Sequence, residues 1–221
     1  DFGPVEFSIM MDSVGDKRDL TIVGDVSQKI LFSRKFIGWE NILDNLEIKK
    51  DTLIQLEVSF RCTVPIMNLA RKVEGRKDPV SFGRPGSPVI WHRAVDQNDF
   101  LETLADWVNG LMEKDPYKLI ALICRYPKQA MELKDELERM ISCEVRIGHR
   151  DQFSFEPGVI ISNIHQIKGL EFDAVALINP SEEFYPSKNI ESRNMIYVGI
   201  TRAQEDLLVI GNNSFSKVLL S

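Results

Sequence analysis

The polar segment from Asn163 to Asp173 contains the residue types in this sequence that are best suited to chemistry. It gathers an imidazole, an ammonium group and a carboxylate around a glycine: His165, Lys168, Glu171 and Gly169. The flanking runs, 158–162 and 173–178, are continuously apolar, which predicts buried strands of a parallel sheet. Because ligands of open α/β sheets bind at the loops that follow the strands, we expect this segment to bind a ligand.

A second polar group, Asp25 and Gln28, follows a short apolar run near the N-terminus. Residues 20–23 are predicted to form a buried strand, and the pair lies just beyond it. This position would bring the carboxylate and amide side chains together at the carboxyl end of a strand. The same pattern also fits an ordinary Gly-Asp turn followed by an exposed glutamine, and by itself it favours that interpretation.

Arg61 lies at a corner between two predicted elements. A strand is predicted over 52–58, and a helix follows that Thr63 caps and Pro65 enters in its first turn. A guanidinium at such a corner either forms a surface salt bridge or binds a phosphate, and its immediate neighbours alone favour the salt bridge. A second arginine, Arg202, lies shortly before the last predicted strand.

The elements that position these residues alternate between strands and helices along the chain. Apolar periodicity predicts helices over 4–14, 99–112 with Asp99 as the cap, 127–141 and from about 190, and strands over 88–91, 117–124 and 206–211. The glycine- and proline-rich stretch 74–87 is predicted to be a loop. This order predicts an α/β fold with a mostly parallel, doubly wound sheet and helices on both faces.

Composition limits the class of protein. The 27 basic and 33 acidic residues give a net charge of −6, which is the wrong sign for binding nucleic acid over the whole surface, so any such contact is local. Three cysteines without a CxxC spacing argue against a disulfide framework and a zinc site. With neither an apolar run of about 20 residues nor a signal peptide, the sequence predicts a cytoplasmic protein with no membrane association.

Four segments, taken in order, resemble motifs three to six of the UvrD/Rep-type superfamily 1 helicases, which are ATP-driven motors on single-stranded DNA. The matching segments are 24–28, 56–63, 163–173 and 193–203. The strings KGLEFD and YVGITRA carry the resemblance most strongly, and the match covers nearly the whole chain. It implies the C-terminal part of such a helicase, with a RecA-like fold of the P-loop NTPase type.

The resemblance implies that several residues act on ATP. Arg61 and Arg202 match two arginines that reach the γ-phosphate across the cleft between RecA-like domains, and Gln28 matches a glutamine that senses this phosphate and orients the attacking water. The remaining nucleotide-binding positions are Asp25 on the metal and phosphate side, Phe60 against adenine, Glu171 at the ribose hydroxyl, and Gly169. The implied cofactors are ATP and Mg²⁺, with the metal bound mainly by a preceding N-terminal motor domain and no metal site in this chain.

The resemblance also implies contacts with single-stranded DNA. His165 matches a residue that touches the DNA backbone, although an ordinary loop histidine is the less favoured alternative, and Asn163 occupies a place where the family more often has threonine. Lys168 could contact a phosphate or pair with a carboxylate, and the sequence does not decide between them.

One departure from the family concerns the aromatic residue on which a DNA base stacks. The family commonly has a tryptophan after the motif-three glutamine, and Ser33, followed by the predicted DNA-binding residue Arg34, takes its place here. Because base stacking is worth about 1 to 3 kcal/mol per base, either Phe32 or Trp39 takes over this role or the grip on DNA is weaker.

The resemblance divides the chain into two parts. Residues 1–50 match the tail of a first RecA-like domain and 51–221 the second, with no room for the accessory domain that larger relatives insert between motifs four and five. No GxxxxGK[ST] phosphate loop is present, and Asp1 falls where the last residue of the DExQD motif would be. We therefore expect this chain to need the N-terminal motor domain of the same protein and to lack ATPase activity alone.

A different class of function is also open. Some short relatives without the accessory domain use ATP to remodel a protein partner such as RNA polymerase instead of unwinding duplexes. The acidic charge balance and the presence of Ser33 both slightly favour that alternative. A degenerate motor domain is disfavoured because Gln28, Arg61 and Arg202 are all present.

Overall fold

The computed structural model describes residues 4–14, 21–30, 38–45, 53–56, 59–80, 82–149 and 153–220. The chain divides into two compact units, Asp1–Glu57 and Val58–Ser221. Arg34, like its neighbours Phe32 and Ser33, lies outside the described residues, so its role stays a prediction.

The first unit contains helix α1 (Pro4–Val14), a 3-10 turn (Val26–Gln28) and helix α2 (Trp39–Asn45). Phe7 and Ile42 form a small core between the two helices. The strands predicted at 20–23 and 52–58 are wrong for their described parts, because 21–23 and 53–56 have no regular structure. An apolar run becomes a strand only where a partner strand satisfies its backbone groups, and the described part of this unit supplies none.

The described residues of the second unit form a six-stranded sheet and five helices. Its strands are β1 (Ile90–Arg93), β2 (Leu119–Cys124), β3 (Val145–Ile147), β4 (Gly158–Asn163), β5 (Phe172–Ile178) and β6 (Ala203–Gly211). Its helices are α3 (Val64–Val73), α4 (Gln97–Lys114), α5 (Pro127–Leu137), α6 (Ile190–Ile200) and α7 (Lys217–Leu220). The strand order is β1-β6-β5-β2-β4-β3 and every pairing is parallel, which confirms the predicted fold class.

Helices cover both faces of this sheet. On one face, Ile120 and Leu122 of β2 pack in a core with α4 and α5. On the other face, α6 approaches β5 so closely that a Cβ at Gly199 would lie 2.6 Å from Leu177 Cδ2. Burial from both sides explains why the central strands are continuously apolar. No helix in the described ranges is both long and apolar enough to cross a bilayer.

The start of helix α4 differs from the prediction for a clear reason. Helix α4 begins at Gln97 because Asp96, rather than Asp99, is its cap and accepts the Asp99 backbone N–H at 2.9 Å. The Asp99 carboxylate instead accepts the Val95 N–H and contacts His92 on β1. It therefore fixes the start of the helix to the edge strand.

Candidate functional site

The polar segment between β4 and β5 runs from the side of the sheet where the parallel strands end to the side where they begin. We call these two sides the carboxyl edge and the amino edge. Strand β4 ends beside the last residue of β2, whereas β5 begins near the first residue of β2. A six-residue strand separates these edges by about 17–20 Å. The expectation that the whole segment lies at the carboxyl ends of the strands is therefore correct for His165 and wrong for Glu171. A parallel crossover must return to the amino edge before the next strand begins.

At the amino edge, Glu171 binds two residues from distant parts of the chain. Its Oε1 lies 2.6 Å from Arg61 Nη2, and its Oε2 accepts a hydrogen bond from Gln204 Nε2 at 3.0 Å. Arg61 precedes α3, Glu171 precedes β5 and Gln204 belongs to β6. The side chains of Arg61 and Glu171 are each 38% exposed, so this ion pair is open to solvent and to a ligand.

Arg202 lies at the same edge and is buried, with 1% of its surface exposed. Its Nε donates to Val198 O at 3.1 Å, its Nη1 to Leu170 O at 3.1 Å and its Nη2 to Thr201 Oγ1 at 3.2 Å. The side chain thus ties the end of α6 to the segment before β5. Burial, and after it the neighbouring charge of Arg61, lowers the pKa of this guanidinium from its usual range. Arginine remains charged at neutral pH even so.

Arg84 completes a group that we call the amino-edge cluster, namely Arg61, Arg84, Glu171, Arg202 and Gln204. All four charged members act on the buried thiol of Cys62, whose pKa burial raises to about 11. Three positive charges and one negative charge leave an excess of positive charge. An excess of guanidinium groups at a sheet edge is suited to binding an anion with several oxygens, such as a phosphate.

Phe60 lies immediately before Arg61 and is 74% exposed. Single exposed apolar side chains are common on protein surfaces and need no explanation by themselves. Next to an excess of positive charge, however, a flat apolar ring is suited to binding a nucleotide. The base can stack on the ring while the phosphates contact the arginines.

At the carboxyl edge, Asn163 builds the turn that presents His165. Asn163 is 6% exposed, its Oδ1 accepts the His165 N–H at 3.1 Å, and its carbonyl accepts the Gln166 N–H at 3.0 Å. His165 itself is exposed. Burial first, and then the charge of Arg125, lower the pKa of the imidazole from its usual value. The ring is therefore neutral at neutral pH and can donate or accept a hydrogen bond.

One cationic side chain that the sequence analysis did not single out, Arg125, lies close enough to His165 for its charge to act on the imidazole. Arg125, the first residue after β2, lies 4.8 Å from the ring centroid of Tyr126 and 5.7 Å from that of Tyr185. Its Nε donates to Phe184 O at 3.3 Å. We call Arg125, Tyr126, His165 and Phe184 the carboxyl-edge cluster. The sequence could have indicated Arg125 and Tyr126 as candidate site residues, because they directly follow a buried strand.

In the first unit, Asp25 and Gln28 lie together as predicted. Asp25 Oδ2 accepts from Gln28 Nε2 at 2.9 Å, and Oδ1 accepts the Ser27 N–H at 2.9 Å. They lie in a turn, and the described residues before them form no strand.

Two predicted positions belong to the crossing segment itself. Gly169 has φ +87°, a conformation that favours glycine. Lys168 lies beside it and is half-buried. Within the described ranges, no group of three or more His, Cys, Asp or Glu side chains could hold a metal ion.

Comparison with known proteins agrees with these features. Residues 141–214 match the family model for the UvrD-like helicase C-terminal domain. The ATP-dependent DNA helicase PcrA of Leuconostoc citreum is 28% identical over 133 residues, which cover 56% of this chain and 16% of PcrA. The ATP-dependent DNA helicase UvrD2 of Mycobacterium bovis is 26% identical over 182 residues, covering 77% of this chain and 23% of UvrD2. The chain thus spans less than a quarter of the length of either relative.

A solved structure supports the fold. The C-terminal domain of a possible DNA helicase from Lactobacillus plantarum superimposes with a TM-score of 0.58 at 18% identity, covering 73% of this chain and 92% of that one. The family match includes both the segment that crosses the sheet and Arg202, which lies between α6 and β6. The chain therefore resembles the UvrD/Rep-type DNA helicases, as the sequence predicted, and it matches the UvrD-like helicase C-terminal domain over residues 141–214.

Proposed function

We propose that this chain is the C-terminal portion of an ATP-dependent DNA helicase or translocase, with residues 51–221 as its second RecA-like motor domain. In this proposal, 1–50 are the tail of the first motor domain, and the amino-edge cluster acts on ATP held mainly by that domain. The observation that carries the proposal is the convergence of three arginines and one glutamate from separate segments at one edge, beside the exposed ring of Phe60.

Arg61 is the member of the cluster that can contact a phosphate with the least rearrangement. Its partner Glu171 is as exposed as it is, and pairs of this kind are worth about 0–1 kcal/mol. Exchange of the carboxylate for a phosphate oxygen therefore costs little. Once released, Glu171 can accept a hydrogen bond from the ribose, while Phe60 stacks on the adenine. During hydrolysis, negative charge spreads over the γ-phosphoryl oxygens, and an arginine placed there accelerates the reaction by about 10³ to 10⁵.

Arg202 stabilises the same negative charge on the γ-phosphoryl oxygens from a buried position. Its guanidinium can reach a phosphate only after it leaves the carbonyl of Leu170 or after the surface opens. In the present arrangement it acts through its positive charge and by holding the end of α6 against the segment that ends at Glu171. Its contribution to catalysis is therefore tied to its contribution to stability.

Two residues of the first unit, Gln28 and Asp25, are assigned roles in ATP hydrolysis through their resemblance to the third helicase motif. Gln28 orients the attacking water, and the Asp25 carboxylate fixes the Gln28 amide through their 2.9 Å hydrogen bond. Mg²⁺ neutralises phosphate charge in reactions of this class. As the resemblance implies, we assign its binding mainly to an N-terminal motor domain.

The carboxyl-edge cluster is proposed as part of the single-stranded DNA track. Tyr126 is 47% exposed and offers a face on which a base can stack, while Arg125 provides a cation for the backbone. His165 adds a neutral hydrogen-bonding group on the turn that Asn163 builds. Because the segment 163–171 runs from this cluster to Glu171, one continuous piece of chain links the DNA side to the nucleotide side.

The proposal is tested with the full-length protein, which in this proposal includes an N-terminal motor domain. We expect ATPase activity that single-stranded DNA stimulates, a loss of about 10³-fold in turnover for Arg61→Ala, and no activity for residues 1–221 alone. Arg76→Ala is the matched control, since Arg76 is also exposed and pairs with a glutamate, at 3.6 Å. Equal turnover in the two variants would refute the role of Arg61.

A strand-displacement assay on the same protein separates unwinding from the alternative class. ATP turnover without duplex unwinding would support remodelling of a protein partner.

A further inference from the structure

A loop that the sequence marks only by its glycines and prolines is attached directly to the amino-edge cluster. Arg84 in this loop uses a single nitrogen, Nη2, to donate to the carbonyl of Arg61 at 2.9 Å and to the carbonyl of Gln204 at 2.8 Å. These two residues are also the ones whose side chains bind Glu171. Arg84 therefore fixes the backbone of the pair whose side chains Glu171 connects.

The resulting ring of hydrogen bonds joins four parts of the chain. Arg84 and Glu171 are at opposite ends of the ring, and Arg61 and Gln204 form its two sides. The Thr63 N–H also donates to Gln204 O at 3.2 Å. Hydrogen bonds that involve a charged group are about twice as strong as neutral ones. The contacts of Arg84 and of Glu171 together therefore set the position of the Arg61 backbone relative to β6.

The loop itself is packed closely enough to hold Arg84 in place. The Arg84 carbonyl accepts the Val64 N–H at 2.8 Å, at the start of α3. Two residues further on, a Cβ at Gly86 would lie 2.3 Å from Thr63 Cγ2, a distance that real Cβ atoms do not show. Only glycine allows the loop to lie against Thr63, so the loop and the segment before α3 form one packed corner.

We propose that Arg84 is a positioning residue for Arg61, and this inference rests on the proposed function. Arg61 has a long, partly exposed side chain, so the place of its guanidinium depends on where its backbone is held. Misplacement of a catalytic group by about 1 Å can lower the rate by about 10²-fold. Arg84 does not need to touch the nucleotide to affect hydrolysis, because it acts through the Arg61 backbone.

The first test compares Arg84→Ala with Arg146→Ala in the intact protein. Arg146 has the same bonding pattern, since its Nη2 donates to the carbonyls of both Glu156 and Pro157, but it lies on β3, which β2 and β4 separate from β5. We expect kcat for ATP to fall about 10- to 100-fold in Arg84→Ala with a KM for ATP close to that of the wild type, and kcat to stay within about twofold in the control. Arg84→Lys, which keeps a cationic donor, should recover part of the loss.

The second test is a double-mutant cycle with Arg61→Ala. If Arg84 acts through Arg61, then Arg84→Ala has no further effect on kcat once Arg61 is alanine. A general loss of structure would lower kcat by the same factor in both backgrounds, and that result would overturn the inference. Equal kcat in Arg84→Ala and Arg146→Ala would also overturn it while leaving the proposed function intact. Absence of ATPase activity in the wild-type protein would instead refute the proposed function.

Discussion

Replacing Arg202 should destabilise the second unit far more than replacing Arg61, although both are assigned to the same phosphate. Arg202→Ala removes at least three hydrogen bonds of a buried cation, each worth about 1.5–3 kcal/mol. Two effects reduce the sum: the variant no longer buries a charge close to Arg61, and Val198 O still accepts from Thr201 Oγ1 at 3.2 Å. We therefore expect a net loss of about 3 kcal/mol, at the lower end of the range for a broken buried charge network.

Arg61→Ala provides the comparison, because it removes only a half-exposed salt bridge worth about 0–1 kcal/mol. Urea unfolding of the 221-residue chain, followed by the fluorescence of Trp91 and Trp107 in the second unit, measures both variants. With an m-value of about 2 kcal/mol/M, the midpoint should fall by about 1.5 M for Arg202→Ala and by less than about 0.5 M for Arg61→Ala. Equal midpoints would refute the reasoning, since they would mean that the Arg202 contacts add nothing to stability.

Two further predictions concern positions outside the proposed catalytic groups. Hydrogen bonds from Ser187, first its hydroxyl and then its backbone, lower the pKa of Glu182 from 4.5 to about 2. Because the pKa of Glu182 is lower in the folded state, its carboxylate stabilises the fold above about pH 4.5, and this stabilisation is lost as the pH falls towards 2. Acid titration should therefore show that Glu182→Gln is less stable than the wild type at neutral pH and equally stable near pH 2. Gly199→Ala should destabilise the second unit by about 1–3 kcal/mol in urea unfolding, because its Cβ would meet Leu177 at 2.6 Å. Gly110→Ala, where the added atom meets nothing within 4 Å, should instead stabilise helix α4 by about 0.5–1 kcal/mol; a loss of similar size in both glycine variants would contradict the packing argument.

The sequence was sufficient to predict the class of fold in the second unit. Continuous apolar runs such as 158–162 indicate strands that are buried on both faces, and the helical periodicity between them indicates the covering layers. Both signals are local, because they depend only on residues within one element. The same signal failed at 21–23 and 53–56, where the described structure provides no partner strand.

Several candidate site residues were also proposed from the sequence. His165, Glu171, Arg61 and Arg202 lie in short strings whose order along the chain is itself informative. Their division between two edges of the sheet was not predictable from those strings, because it depends on β4 and β5 being separated by β2. Once that strand order is given, a crossing segment with His165 at one edge and Glu171 at the other follows directly.

Only the tertiary structure could reveal how Arg61 is held. Arg84 is 23 positions from Arg61 and 120 positions from Gln204, so no local pattern relates it to either carbonyl. Likewise, the sequence shows that Arg202 follows a helix but not that its guanidinium is buried against Leu170 O. The physical reason is the same in both cases: periodicity records which face of an element is apolar, whereas the partners of a polar side chain are set by which elements the strand order brings together.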